Sequence, residues 1–276
     1  MMLSSSTFQG LDSPKSGASL SAPMSSAAAA EESAADVLTA TFARLRPEVA
    51  TCLQPDSKLI SAFAERGSGI WTYGEVTLEG CAKLMDVMLD GELPTECTFL
   101  DVGSGVGQIV LYAAAIIGVQ YSFGIELVPS RHAVAEAARQ AMIDAGYSSL
   151  AQTTNLRCGD ALDASELPSF AKATHIFCAN AVFALKQTAQ LVAHVGVHAP
   201  RLQVLALLNE PPPDAVHAAG LVLVRASSVS VSWLHTFGWP VYLYRRAADV
   251  PVADATVAVD EDYEAASENA EWFSMV

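Results

Sequence analysis

The chain has 276 residues, 51% of them hydrophobic and 16% charged, which is enough apolar material for one large α/β domain with tails. No apolar run reaches the roughly 18 residues that a membrane span needs, and five unpaired cysteines argue against a disulfide framework or a metal site and for an intracellular protein. The net charge of −15 argues against strong direct binding to nucleic acid, which requires clustered lysine and arginine.

The first 72 residues fall into two parts. Residues 1–31 are rich in serine and alanine, without a helical or strand period, and we predict a disordered tail there. Residues 32–72 are predicted to form a small helical layer or lid. Pro47 interrupts the pattern, so we expect a pair of short helices. The apolar residues with helical spacing are Val37, Leu38, Phe42, Leu45 and Val49.

Residues 73–246 alternate between apolar strands and helices, which predicts a Rossmann-like α/β domain. We expect a seven-stranded, mostly parallel sheet that ends in an antiparallel hairpin, with ligands bound beyond the carboxyl ends of the strands. The predicted helices cover residues 108–117, 130–145 and 185–198. The predicted strands cover residues 97–102, 121–126, 156–160, 175–179, 202–208, 222–233 and 240–244.

Residues 247–276 form an acidic tail with eight carboxylates and neither lysine nor arginine. We expect this tail to stay solvated and keep the chain soluble. Docking of a basic partner is the alternative, because Trp272 and Phe273 are an unusual pair to leave in water.

The glycine-rich loop from Asp101 to Gly107 follows a strand and opens a helix, so its backbone can approach a ligand closely. A dinucleotide site is disfavoured, because Gln108 replaces the last small residue of that fingerprint and Asp101 would repel a pyrophosphate. A carboxylate instead attracts the sulfonium and ammonium groups of S-adenosylmethionine, by about 4 kcal/mol at about 4 Å. The loop residues expected to bind this cofactor are Asp101, Gly103, Ser104, Gly105 and Gly107.

Two further carboxylates follow the next two strands. Glu126 ends the second strand, where an acid can bond both ribose hydroxyls, and Asp160 follows the third, where it can accept from the adenine amine. Ala161 could pack on the ring. Each acid taken singly could equally be a helix cap or a solvated loop residue. Three acids after three successive strands favour the cofactor.

Three segments carry a resemblance to a known family: residues 73–77, residues 99–111, and the SVSVSW run ending at Trp233 and followed by Pro240. Over roughly residues 70–245 the chain resembles the disruptor-of-telomeric-silencing family of non-SET histone lysine methyltransferases. The resemblance implies a class I methyltransferase fold and a nuclear enzyme and chromatin regulator. Its expected activity is methylation of a lysine in the globular core of histone three.

The resemblance also implies which residues hold the methionine end of the cofactor. Tyr73 and Glu75 would fold over it, and Gln108 would lie in the same pocket. Val76 replaces the family's threonine, so one hydroxyl contact is lost unless Thr77 supplies it.

On the acceptor side, the family's Asn-Asn-Phe-x-Phe segment is here Ala179-Asn-Ala-Val-Phe183, so the first asparagine is lost. Asn180 could orient the lysine amine through its side-chain carbonyl. An aromatic channel would lower the pKa of the amine by desolvation and align it. The expected channel residues are Phe183, Trp233 and either Tyr242 or Tyr244.

Two other functions compete with this prediction. A class I methyltransferase for a non-histone protein or a small molecule is favoured by the loss of asparagine at Ala179 and by the scarcity of basic residues. A non-catalytic module that retains a cofactor pocket is disfavoured by the intact acids Asp101, Glu126 and Asp160. The sequence predicts no oligomeric state.

Overall fold

A computed structural model of the chain describes residues 26–52, 74–251 and 256–274. The helices are α1 (Ser26–Cys52), α2 (Leu78–Leu89), α3 (Gln108–Tyr112, continued by a π-helical turn Ala113–Ile117), α4 (Pro129–Asp144), α5 (Leu150–Thr153), α6 (Leu167–Lys172), α7 (Leu185–His198), α8 (Pro213–Ala218) and α9 (Tyr263–Ser274). The strands are β1 (Thr98–Val102), β2 (Tyr121–Glu126), β3 (Thr154–Cys158), β4 (His175–Cys178), β5 (Val204–Leu207), β6 (Leu221–Val231), β7 (Leu234–Arg246) and β8 (Ala258–Val259).

All eight strands join one sheet in the order β3-β2-β1-β4-β5-β7-β6-β8. Strands β1 to β5 are parallel, and β7 runs antiparallel to both β5 and β6. This confirms the Rossmann-like α/β class with a C-terminal hairpin. The eighth strand was not predicted; it is only two residues long and pairs with β6. The chain leaves β1 in one direction and returns beside it as β4, which creates the crevice where such sheets bind ligands.

Both faces of the sheet are buried, which explains the apolar strands. Phe99 and Phe177 point to one face, where α2, α3 and α4 pack, and we call this the first core. Leu100 and Ile176 point to the other face, against α6 and α7, and we call this the second core. Because all five residues of β1 are buried, the strand shows no polar alternation. None of the described helices combines the length and apolar character of a membrane span.

The N-terminal layer is a single helix, α1, that continues through Pro47, so the predicted pair of short helices is wrong. An internal proline costs about 3 kcal/mol. Burial of Leu38, with Phe42 and Leu45 packed against the domain, offsets that cost at about 1.5–3 kcal/mol for each fully buried side chain. Residues 26–31, predicted to be disordered, are helical. Residues 1–25, and residues 53–72 of the predicted lid, lie outside the described residues.

The C-terminal segment, predicted to be a solvated tail, docks on the domain through β8 and α9, while most of its described carboxylates stay exposed. Helix α9 packs along β7, and Ala266 in it is fully buried. Asp260 is held by Lys83 at 3.2 Å, by Arg225 at 3.0 Å and by the hydroxyl of Ser227. The domain therefore supplies the cations that this acidic segment lacks. The side chains of Trp272 and Phe273 lie outside the described residues.

Candidate functional site

An open cleft of about 370 Å³, including the space at its mouth, lies beside the ends of β1 and β4. None of its described lining residues is a lysine or an arginine, so the cleft has no cation to neutralise a pyrophosphate. The lining residues are Gly74, Glu75, Val76, Asp101, Gly103, Ser104, Gly105, Val106, Gln108, Ile109, Phe177 and Ala179.

The glycine loop has a backbone conformation that residues with a side chain rarely adopt. Gly103 and Gly107 have φ values of 81° and 82°, in the left-handed region that favours glycine. The amides of Gly103 and Ser104 both donate to the carbonyl of Ile125, at 2.8 and 3.0 Å, which folds the loop onto β2. A Cβ on Gly107 would lie 2.9 Å from that of Ala135, so the loop also depends on close packing against α4.

Glu126 holds this loop from below. Its two carboxylate oxygens accept from the amides of Gly105, at 2.7 Å, and Val128, at 2.8 Å. A carboxylate has about four acceptor positions, so two remain for ribose hydroxyls. Glu126 is buried outside the cleft lining, and its predicted contact with ribose stays a prediction.

Asp101 is the acidic residue whose surroundings best suit a cationic ligand. It lines the cleft and is 2% exposed, and its Oδ1 has no hydrogen-bond partner among the described residues. Burial, and then the negative charge of Glu126, raises its pKa to about 8. A buried carboxylate without a partner is costly unless a cation pairs with it. The ammonium group of S-adenosylmethionine fits this position.

The segment from Gly74 to Thr77 forms the opposite wall. Gln108 donates from Nε2 to the carbonyl of Val76 at 2.7 Å, which ties this wall to the start of α3. Thr77 cannot replace the family's threonine contact, because its hydroxyl accepts from the amide of Gly80 at 3.0 Å and caps α2. Tyr73 lies outside the described residues.

Asp160 and Ala161 lie beside the cleft without lining it. Asp160 accepts from the amide of Leu162 at 3.0 Å, which closes a turn after β3, and Ala161 packs against the second core. The predicted adenine contacts stay predictions.

Asn180 does not have its predicted role. Its Oδ1 accepts from the amides of Leu208 and Asn209 at 2.8 and 2.9 Å, and its Nδ2 donates to Thr188 and to the carbonyl of Asn209. The residue is fully buried. Its side chain has no group left to orient an amine, and it joins the end of β4 to the end of β5 instead. Ala179, one residue earlier, lines the cleft.

The predicted channel tyrosines share one face of the sheet, as expected, and their role in an acceptor channel stays a prediction. Tyr242 and Tyr244 pack in the second core, whereas Phe177 of the cleft belongs to the first. An irregularity in the hairpin explains this. Val231 pairs with Leu234, and Val229 pairs with Trp239. Two residues along β6 therefore correspond to five residues along β7. An excess of three residues, an odd number, inverts the face to which later side chains point. Phe183, also predicted, packs against the second core without lining the cleft.

Aromatic residues that the sequence did not single out lie on the cleft side. Phe177 lines the cleft, and it could have been found because it lies two positions before Ala179 on the same strand face. Trp233 was predicted, and it packs against Gly74, where an added Cβ would lie 2.0 Å from its ring. Trp239, whose ring centroid is 5.7 Å from that of Trp233, donates to the carbonyl of Leu208 at 3.0 Å.

Comparison with known proteins identifies one matching family. The family model described as histone methylation protein DOT1 matches residues 51–206, more than half of the chain. No curated protein matches the chain at a significant level.

Three solved structures illustrate the structural similarity. Sp1610 of Streptococcus pneumoniae, a putative tRNA (m1A22) methyltransferase, is 15% identical with a TM-score of 0.43, over 63% of this chain and 74% of that one. The methyltransferase domain of METTL16 is 12% identical with a TM-score of 0.47, over 61% and 66%. The methyltransferase domain of bacterial CtHen1 is 9% identical with a TM-score of 0.47, over 62% and 100%.

Proposed function

The chain belongs to the DOT1 histone methylation protein family and is an S-adenosylmethionine-dependent methyltransferase, and we propose that it methylates a lysine in the globular core of histone three. Its catalytic domain would span residues 73–246, and an enzyme with this substrate would act on chromatin in the nucleus. The family match over residues 51–206 is the observation that best supports this acceptor, and the buried, unpartnered oxygen of Asp101 in the cleft supports the cofactor.

The cofactor, when bound, supplies a methyl group activated by a positively charged sulfur. Asp101 would accept from its ammonium group, and the backbone of the glycine loop would lie against its methionine end. Glu126 would bond the ribose through its two remaining acceptor positions, and Asp160 and Ala161 would contact the adenine. Glu75 and Gln108, which both line the cleft, would close it from the other side.

The acceptor side is apolar, and this matches what a lysine needs. The amine attacks only in its neutral form, and its unperturbed pKa is about 10.4. Phe177, Ile109 and Ala179 line the cleft, and Trp233 packs beside it at Gly74. Such a wall would exclude water, lower the pKa of an inserted amine and align its lone pair with the methyl group.

One observation favours a second candidate function, which is methylation of a non-histone protein or a small molecule. Ala179 occupies the cleft position where the family pattern has asparagine, and the neighbouring Asn180 has no free group. Among the described residues of the cleft, no asparagine therefore lies where the family pattern has one to orient a lysine. The chain also has only 15 basic residues to contact nucleosomal DNA, so a partner would have to supply that charge.

Transfer of a labelled methyl group tests these alternatives. Purified protein would be incubated with recombinant nucleosomes, free core histones or a histone-depleted lysate, with Asp101→Asn as the control. Labelling of histone three, lost in the control, is the expected result. Labelling confined to other proteins or to small molecules would favour the second candidate. Cofactor binding without transfer to any of them would indicate a binding module.

A further inference from the structure

Residues 74–77, one wall of the cofactor cleft, are held by the end of β6. Glu75 donates from its amide to Oγ of Ser232 at 2.9 Å, and the amide of Ser232 donates to the carbonyl of Glu75 at 2.8 Å. The two residues therefore bond each other in both directions. One of these bonds uses a side chain, and the other uses only backbone.

The neighbouring residues extend this pairing. Val76 forms an antiparallel bridge with Val231, and the amide of Thr77 donates to the carbonyl of Ser230 at 3.0 Å. The wall is therefore a short extra strand added to the hairpin of β6 and β7. Beyond Ser232 the hairpin carries Trp233, whose ring fills the space where Gly74 has no side chain.

Most of these contacts come from backbone groups, which a substitution leaves in place. The side chain of Ser232 is the exception, because its Oγ is the partner of the Glu75 amide. Alanine at this position would keep the strand pairing and remove that acceptor. The cleft wall would then be fixed at Val76 and Thr77 while Glu75, which lines the cleft, loses one of its two bonds to Ser232.

We propose that Ser232 is a positioning residue for cofactor binding. Through Glu75 it sets the place of the cofactor wall relative to the hairpin that presents Trp233 and Trp239. The wall of the cofactor cleft and the hairpin that carries the two tryptophans are therefore linked by side-chain as well as backbone bonds. This inference rests on cofactor binding alone and needs no particular methyl acceptor.

The test measures cofactor affinity by calorimetry in three purified variants. Ser232→Ala removes the acceptor, Ser232→Thr keeps a hydroxyl, and Ser148→Ala is a control at an exposed serine before β3. Loss of one hydrogen bond predicts a roughly 3- to 10-fold higher Kd for S-adenosylmethionine in Ser232→Ala. Ser232→Thr should restore most of the affinity, and Ser148→Ala should match the parent protein.

Two further readouts separate positioning from general damage. The melting temperature and the far-ultraviolet circular dichroism of Ser232→Ala should match those of the parent protein. Once an acceptor is available, KM for the cofactor should rise while kcat at saturating cofactor stays within about twofold. An unchanged Kd in Ser232→Ala, or an equal loss in Ser232→Thr, would overturn the proposal.

Discussion

Replacement of Asp101 by asparagine removes the buried carboxylate that the cleft offers to a cationic ligand. An opposite charge at about 4 Å and an effective dielectric constant of about 20 contributes about 4 kcal/mol to binding. The pKa of Asp101 is about 8, so its ionisation at pH 7 costs about 1 kcal/mol of that sum. The remaining ~3 kcal/mol corresponds to a Kd for S-adenosylmethionine that is on the order of 100-fold higher in Asp101→Asn.

The pH dependence of cofactor affinity provides a second test of the role of Asp101. A cation binds the ionised carboxylate, so below pH 8 the free protein must lose a proton when the ligand enters. Affinity should therefore rise by up to about tenfold per unit as pH increases towards 8, and level off above it. Asp101→Asn should abolish this rise. It should also raise the melting temperature of the free protein at neutral pH, because folding no longer has to protonate a buried carboxyl group.

Isothermal titration at pH 6.5, 7.5 and 8.5, repeated in buffers of different ionisation enthalpy, measures both Kd and proton release. Asp144→Asn, at the exposed end of α4, serves as the control for a lost surface charge. Unchanged affinity in Asp101→Asn, or an affinity of the parent protein that falls between pH 6.5 and 8, would refute the assignment of Asp101.

Four other variants test separate parts of the account. Gly74→Ala should displace the ring of Trp233, whose nearest atom would lie 2.0 Å from the new Cβ, and the fluorescence of that tryptophan should shift. Asn180→Ala should lower the free energy of unfolding by about 2–4 kcal/mol in urea titrations, because it leaves one buried and one half-buried backbone amide without an acceptor. Ala179→Asn should increase methylation of nucleosomes in a labelling assay if the lost asparagine limits activity; an unchanged rate would count against that explanation. Asp260→Asn should expose α9 to limited proteolysis. Burial opposes ionisation of Asp260, but bonds from Ser227, Arg225 and Lys83 lower its pKa. The stability that these bonds give the docked segment is therefore present above a pH of about 4 and is lost as pH falls further.

The sheet and the cofactor half of the site could be predicted because they depend on local patterns. A buried strand, a glycine turn and a helix follow one another from Thr98 to Tyr112, and their order fixes where Asp101 lies. The parallel strands then bring Glu126 beneath the same loop. These relations need only strand direction and the position of the glycines.

The acceptor half could not be predicted because it depends on pairing between distant segments. The six residues between Trp233 and Pro240 are more than the family's turn has, but the sequence does not show that three of them are extra in β7 and invert the faces of Tyr242 and Tyr244. Asn180 was predicted to orient the amine. The sequence does not show that its side chain bonds Asn209, which lies 29 positions later in the chain. Docking of the C-terminal segment could not be predicted for the same reason, because the cations that bind Asp260 lie on the distant elements α2 and β6.

Mass spectrometric mapping of the methylated residue tests the central proposal most directly. Recombinant nucleosomes would be incubated with the protein and S-adenosylmethionine, and each histone digested and sequenced. The account predicts methylation of a lysine in the globular core of histone three, absent when Asp101→Asn is used. Nucleosomes that stay unmodified by protein that binds the cofactor, while another protein or a small molecule gains the methyl group, would contradict it.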